Sequence, residues 1–361
     1  MRYVLSPKNA LVVRGPASVR LLSGQASILG GKLLEAHKIV VGNERQVPIE
    51  TETHADLDIS PSKPAGIFEV QGSTIPRSWK LAANALEQMK EGKVMVIGAT
   101  DVGKSTLCTY LINRLSHSKV NLRIIDADVG QADLGPPTTI GRASRKAPIT
   151  SLVELVPELL VFIGHTSPKE VEGRLIEGIQ RLSADGEQSL TIVNTDGWIL
   201  DPAAILFKID LIAAINPDLV LGLAKGTELQ PILSRSRVHP FNVEAANDVL
   251  PRSKHDRRQI RTAGYRRYLQ GAGPVSISLR EVQLSAPRGI PFPGTLRGRE
   301  FDNLIVGLLD EKGYLIQIGV LLYTEAETVR VYSRPAQGVR RIELGYIKLA
   351  TTGKELGFLE S

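Results

Sequence analysis

The chain has 361 residues, a formal net charge of +6 and one cysteine. Its length exceeds one average domain, so two or three units with substantial cores are expected, and none needs staples. Cys108 by itself excludes an intramolecular disulfide. The opening MRYVLSPKNA lacks the apolar run of a secretory signal, and no apolar stretch reaches the ~20 residues that cross a bilayer, since 203–215 is broken by Lys208 and Asp210. The expectation is a soluble, intracellular, cytoplasmic protein with no membrane partner.

Residues 1–75 alternate short apolar runs (Tyr3-Val4-Leu5, Ala10 to Val13, Ile39-Val40-Val41, Gly66 to Val70) with Gly, Pro, Asn and Ser clusters, the pattern of a small β domain. From Trp79 to Met89 the apolar residues recur at helical spacing until Glu91-Gly92. Strand and helix signals then alternate over Lys93 to Ile97, Ser105 to Leu115, Leu122 to Asp126, Leu159 to Ile163, Val171 to Leu182, Leu190 to Asn194 and Asp218 to Leu223. Strands separated by such helices imply a parallel sheet with right-handed crossovers. After about residue 271, short β-type runs return (Ser276 to Leu279, Leu304 to Leu308, Leu315 to Val320, Val329 to Tyr332), punctuated by Gly and Pro, densest over 287–298. The fold class expected is α/β: a central phosphate-loop domain with a parallel sheet over 76–270, flanked by β domains at 1–75 and 271–361.

Residues 98–105 read GATDVGKS, a complete G-x-x-x-x-G-K-[ST] loop between the apolar run Val94 to Ile97 and a helical pattern. A buried strand and a helix N-terminus aim the loop's amides at one point, where nucleotide phosphates are held. Gly98 and Gly103 allow backbone approaches that a Cβ would obstruct. Gly98, Ala99, Thr100, Asp101, Val102, Gly103, Lys104, Ser105 and Thr106 are therefore the expected nucleotide-binding residues. Lys104 would reach the β- and γ-phosphates, and the Ser105 hydroxyl would bind Mg²⁺.

The strand Leu122 to Ile125 runs into DADVGQADLGPP, which places Asp126 and Asp128 at the strand's carboxyl end, where ligands collect in open α/β sheets. One carboxylate would hold Mg²⁺ and the other would accept a proton from an attacking hydroxyl, with Gln131 orienting phosphate, metal or substrate. The competing reading is that the acids cap the turn that follows the strand.

Residues 252–267, RSKHDRRQIRTAGYRR, carry six arginines and one lysine against one aspartate and are the most basic segment of the chain. The excess of arginine over lysine argues for phosphate recognition, because a guanidinium binds phosphate with two parallel hydrogen bonds; a solvated helical face is the bland alternative. Trp198 follows the strand Leu190 to Asn194 at the ligand-facing edge, where an indole can stack on a base or simply close the strand.

In their order, GATDVGKST (98–106), DADVGQADLGPP (126–137), GHTSP (164–168), NTDGW (194–198) and RSKHDRRQIR (252–261) resemble the polynucleotide 5'-hydroxyl kinases, the family of the RNA kinase associated with eukaryotic pre-mRNA cleavage and its archaeal relatives. The resemblance covers the central domain and agrees with a three-domain plan. It implies that Asp128 is the general base toward the 5'-hydroxyl, with Asp126 nearer the metal, a division that the residues themselves leave open. It implies that Arg257 and Arg261 form a lid pair that approaches the transferring phosphate, and helical spacing puts both on one face. The family's clasp over the nucleic-acid end matches His165 and Thr166, and its tryptophan beside the terminal nucleotide matches Trp198.

The expected activity is transfer of the γ-phosphoryl group of ATP or GTP, with Mg²⁺, to 5'-hydroxyl ends of RNA, with DNA as a second candidate acceptor. Two rivals stand beside it: an RNA-processing assembly factor that binds nucleotide without turnover, and a small-molecule kinase, which would need neither a basic lid nor two flanking β domains.

Overall fold

Side chains on a strand alternate between its two faces, so the period-two runs that open the chain can bury one face each. In the computed structural model of the protein, which describes residues 1–42, 45–62, 66–118, 120–144, 148–184, 188–246, 251–286, 301–325 and 327–359, they do so. Nine strands come first: β1 (Arg2–Leu5), β2 (Asn9–Arg14), β3 (Ala17–Gly24), β4 (Ala26–Ile28), β5 (Gly31–Leu33), β6 (Lys38–Val41), β7 (Gln46–Glu50), β8 (Ala55–Pro61) and β9 (Gly66–Gln71). They form a four-stranded sheet ordered β1-β8-β3-β6 and a five-stranded sheet ordered β5-β4-β7-β2-β9. Val19, Leu21, Leu57 and Ile59 from the first sheet meet Leu11, Val13, Val47 and Ile49 from the second in one core.

The central region runs α1 (Arg77–Met89), β10 (Gly92–Gly98), α2 (Lys104–Leu115), β11 (Leu122–Ala127), β12 (Thr139–Ser144), β13 (Leu159–Phe162), α3 (Glu172–Ser183), β14 (Leu190–Thr195), α4 (Pro202–Ile215), β15 (Leu219–Ala224), α5 (Gln230–Leu233), β16 (Pro240–Glu244) and α6 (Lys254–Leu269). Its sheet is ordered β13-β12-β11-β14-β10-β15-β16. The strand β10 is apolar on both faces because both are covered. Val94 and Val96 pack with Leu86 of α1 and Leu107 and Leu111 of α2, while Met95 and Ile97 pack with Leu175 and Ile179 of α3 and Phe207 and Leu211 of α4.

The expected parallel sheet is present in β11, β14, β10, β15 and β16, but it does not extend to the edge, where β12 pairs antiparallel with both β11 and β13. The sequence reading passed over β12 because TIGRAS interrupts its apolar residues with Gly141, Arg142 and Ser144. Its place is set by neighbours instead: Arg142 Nη1 donates to the Leu182 carbonyl of α3 at 3.1 Å.

Beyond α6 lie β17 (Gly273–Ser278), β18 (Gln283–Ser285), β19 (Leu304–Leu309), β20 (Leu315–Glu325), β21 (Thr328–Ser333), β22 (Arg341–Leu349) and β23 (Glu355–Phe358). They form a sheet ordered β17-β21-β20-β19-β22-β18, with β23 paired to β22. The Gly- and Pro-dense stretch 287–298 lies outside the described residues. Ile305, Ile318 and Ile347 of this sheet pack with Phe162 of β13 and with Tyr265 and Leu269 of α6. The basic helix is thereby anchored between the central and carboxyl-terminal regions. No described helix is long and apolar enough to cross a membrane.

Candidate active site

The carboxyl ends of β10, β11 and β14 deliver the phosphate loop, the DADVGQ segment and the NTDGW segment to one edge of the sheet. Gly103 has φ +98°, which L side chains rarely adopt, and α2 begins at the next residue. At Gly98 a Cβ would lie 2.5 Å from the Leu223 carbonyl oxygen, so close packing rather than backbone angle requires glycine there. Lys104 is only 7 % exposed, and its Nζ donates to the Ala99 carbonyl at 2.9 Å. Burial lowers its pKa, and the charges of Asp128 and Asp196 oppose that shift. Val102 is buried in the core, and Thr100 Oγ1 donates to the Gly197 carbonyl at 3.3 Å, which joins the loop to NTDGW.

Asp126 is the deepest acid of the site. Its Oδ2 accepts the amides of Asp133 at 2.7 Å and Leu134 at 3.0 Å. Its Oδ1 accepts Asn194 Nδ2 at 2.9 Å, and the same amide nitrogen lies 3.3 Å from Ser105 Oγ. Burial, reinforced by the charges of Asp133 and Asp128, pushes the Asp126 pKa up to about 7. Asp128 Oδ1 accepts the amides of Gly130 at 3.1 Å and Gln131 at 3.0 Å. The turn-capping reading is therefore correct for that oxygen, yet the residue also lines the cavity beside Lys104 and Ser105. Burial raises the Asp128 pKa, and Lys104 opposes the rise.

Ser105 Oγ, Asp126 Oδ1 and the cavity-lining Asp128 fit a magnesium ion. Buried Asp126 and half-buried Asp128, both with raised pKa, gain from a cation, and Asn194 Oδ1 is buried without a hydrogen-bond partner. Among the described residues no group of three or more His, Cys, Asp or Glu is placed to hold a metal. Magnesium would need only one or two carboxylates, completing its shell with phosphate oxygens and water.

The cavity, of about 190 Å³, lies between this edge and the amino-terminal strands. Lys104, Ser105, Thr106 and Asp128 line its polar wall, while Val12, Leu29, Val41, Pro48, Ile75 and Trp79 give it an apolar one. Arg45, after β6, crosses between the regions: its Nη2 donates to Asp133 Oδ1 at 2.6 Å and its Nη1 donates to Ser151 Oγ. The sequence reading missed this apolar wall entirely. Its residues are spread over the first eighty positions and carry no motif, so no local signal marks them. Cys108, in α2, is buried with a thiol pKa raised by burial, in keeping with a core role.

The helix α6 starts at a capping box between Ser253 and Asp256. Arg257 Nη2 donates to Asp101 Oδ2 of the phosphate loop at 2.7 Å. Arg252, not singled out in the sequence reading, adds its amide to the same oxygen at 3.0 Å and its Nη1 to Gln131 Oε1 at 2.7 Å. Arg261 does not share the Asp101 contact. Its Nε and Nη2 donate to Glu355 Oε1 and Oε2 at 2.6 and 2.9 Å, although Asp128 is near enough to add to its raised pKa. The i, i+4 pair thus engages two different regions.

On the acceptor side the described contacts separate three expected residues. Thr166 abuts the acidic turn, since a Cβ on Gly130 would lie 2.8 Å from its carbonyl oxygen. His165 has Nδ1 2.9 Å from the Ser167 amide nitrogen and packs on Tyr346 and Phe358 of the carboxyl-terminal sheet. Trp198 stacks on Phe207 with centroids 5.9 Å apart, and its amide donates to Asp196 Oδ1 at 2.9 Å. Beneath it, fully buried Lys208 donates to Asp196 Oδ2 at 2.6 Å. The sequence reading treated Lys208 only as a break in an apolar run, although a lysine amid apolar helix residues already demands a buried counter-charge.

The mRNA cleavage and polyadenylation factor CLP1 P-loop family matches residues 98–271, the span that contains all five motifs. A polyribonucleotide 5'-hydroxyl-kinase of Pyrococcus furiosus is 30% identical over 342 residues, covering 79% of this chain and 96% of that protein. One from Methanocaldococcus jannaschii is 26% identical over 331 residues, covering 76% of this chain and 91% of that one. In a solved Clp1p–Pcf11p complex, a chain 14% identical superposes with a TM-score of 0.75 over 96% of this chain and 97% of that one, a likeness of fold. The similarity extends along nearly the full length of the archaeal relatives, and the chain belongs to the Clp1 and polyribonucleotide 5'-hydroxyl-kinase family.

Proposed function

We propose that the chain transfers the γ-phosphoryl group of ATP or GTP to the 5'-hydroxyl end of RNA. The observation that carries this reading is the convergence of Lys104, Ser105 and Asp128 on one cavity, with Asp126 beneath it and the arginines of α6 tied to the phosphate loop through Asp101. The apolar wall accepts the base, and the loop amides and Lys104 hold the phosphates. Asp128 accepts the hydroxyl proton as the oxygen attacks; a carboxylate of raised pKa is a stronger base than one at the ordinary value. Ser105 and Asp126 hold magnesium, which when bound offsets charge on the β- and γ-phosphates. Arg257, and Arg261 once it leaves Glu355, stabilise charge that spreads over the transferring group. Gln131, His165, Thr166 and Trp198 position the RNA end. Three units support this division of labour: 1–75 for the base, 76–270 for the chemistry and 271–361 behind the lid and clasp.

The test is transfer of γ-labelled phosphate to 5'-hydroxyl RNA, DNA and a free nucleoside under ATP and GTP. Lys104→Ala should abolish transfer in a folded protein, and Asp128→Asn should lower turnover by ~10²-fold or more, the scale of general base catalysis. If Asp126→Asn destroys transfer and Asp128→Asn does not, base and metal roles are reversed. Nucleotide binding without transfer to any acceptor would favour the assembly-factor reading, and transfer to nucleosides alone the small-molecule kinase.

A further inference from the structure

The hairpin of β22 and β23 contacts both the GHTSP turn and the lid, and it exposes an aromatic ring beside them. Ile347 pairs with Phe358, Lys348 with Gly357 and Leu349 with Glu355, so one extra residue, a bulge, lies between Glu355 and Gly357. A bulge shifts the alternation of side chains, and Glu355 and Phe358, three positions apart, come to share the face of Leu349 and Ile347. From that face Glu355 holds Arg261, and Phe358 meets His165 with ring centroids 5.2 Å apart and planes inclined at 36°. Tyr346 contacts the same imidazole edge-on at 5.5 Å, and its amide donates to the Gly164 carbonyl at 2.9 Å, which fixes the turn to the hairpin.

Phe358 is nevertheless 53% exposed. A phenylalanine half-exposed just beyond a bulge adds little to the core and offers a flat π surface. These segments carry cations: half-exposed Arg258 of α6 pairs with Glu355 of this hairpin, exposed Lys354 precedes Glu355, and exposed Lys169 directly follows the GHTSP turn. Aromatic rings interleaved with cations suit a single-stranded nucleic acid, whose bases stack while its phosphates pair with charge. They suit an apolar protein surface less well.

We propose that Phe358, backed by His165 and Tyr346, is a stacking surface for the nucleotides that follow the phosphate-accepting one on an RNA strand. This rests on the kinase reading above and adds a determinant of acceptor length that lies outside the phosphate-loop region. On this proposal a nucleoside 3'-phosphate, which carries no following nucleotide, gains nothing from the surface, whereas an oligonucleotide does.

The experiment measures KM for a nucleoside 3'-phosphate and for a ten-nucleotide 5'-hydroxyl RNA, together with direct binding of the ten-mer by fluorescence anisotropy. Phe358→Ala should weaken ten-mer binding about tenfold, within the ~5- to 150-fold range that stacking one base represents, and the KM advantage of the ten-mer over the mononucleotide should shrink by the same factor. Phe358→Trp should retain both properties, whereas Phe358→Leu, apolar but without a ring, should lose them as alanine does. Thermal unfolding checks that each variant folds. Ten-mer binding by Phe358→Ala or Phe358→Leu equal to wild type overturns the proposal, as does an equal loss on both acceptors. A wild type that binds the ten-mer through Phe358 but transfers nothing overturns the kinase reading and leaves the stacking surface standing.

Discussion

Asp126 is fully enclosed, and the shift it suffers has a definite sign. Its pKa of about 7 lies above the ~3.9 of an unfolded chain, so the folded state holds this proton more tightly. Its contribution to stability is fully present below pH ~4, is lost as pH rises toward 7, and changes no further above that. Without nucleotide or metal, the wild type should therefore lose stability relative to Asp126→Asn between pH 5 and pH 8, as urea unfolding at each pH will measure; an unchanged difference would mean that Asp126 is ionised throughout. Lys208 makes the opposite case, a buried charge satisfied by its partner. Lys208→Met leaves Asp196 buried and unpaired and should cost about 3–5 kcal/mol, while adding Asp196→Asn should recover much of the loss. Because Asp196 also bears on Asp128 and Lys104, the single variant should move the pH dependence of transfer as well as the unfolding midpoint.

Among the elements, α6 is the one with two masters. Its first turn, through Arg257, and the residue before its cap, Arg252, are bound to the phosphate loop through Asp101, and one turn further on Arg261 is bound by Glu355, which also receives Arg258. Arg257→Lys and Arg261→Lys keep the charge and remove the planar fork. Both should lower kcat more than they weaken nucleotide binding, because a lid that acts on the transferring group is most effective in the transition state. Glu355→Gln keeps the shape of the Arg261 contact but removes its charge, so amide hydrogen exchange in α6 should accelerate several-fold. Exchange at the wild-type rate would show that packing of Tyr265 and Leu269 alone holds the helix.

At the scale of the whole molecule, the amino-terminal region helps to enclose the cavity beside the phosphate loop, since it supplies much of the apolar wall and Arg45. The Arg45 guanidinium pairs with Asp133, and Asp133 is one of the charges that raise Asp126. Arg45→Met removes the cation that offsets Asp133 and should push Asp126 higher still. With Asp126 in its proposed role as a magnesium ligand, nucleotide binding in the presence of magnesium should weaken, and its pH midpoint should move upward, as a titration from pH 6 to 8 will measure. Weaker binding with an unmoved midpoint would reduce Arg45 to a tie between regions.

The phosphate loop, the paired acids and the basic helix were legible in the sequence because each is a short-range device: a glycine at positive φ, a lysine at a helix N-terminus, carboxylates at the end of an apolar strand, arginines one turn apart. The same local logic gave the α/β centre and the β-rich flanks. The antiparallel strand Thr139–Ser144 was not legible, since its burial comes from neighbours rather than from its own pattern. Nor were the contacts that span the chain. Arg45 meets Asp133, Arg261 meets Glu355 and His165 meets Phe358 across long separations in sequence, and no spacing rule foretells them. Charge pairing and ring contact act over a few ångströms of space, so only the tertiary fold, by bringing three regions around one sheet edge, decided which arginines reach the loop, which residues wall the cavity and which ring packs on His165.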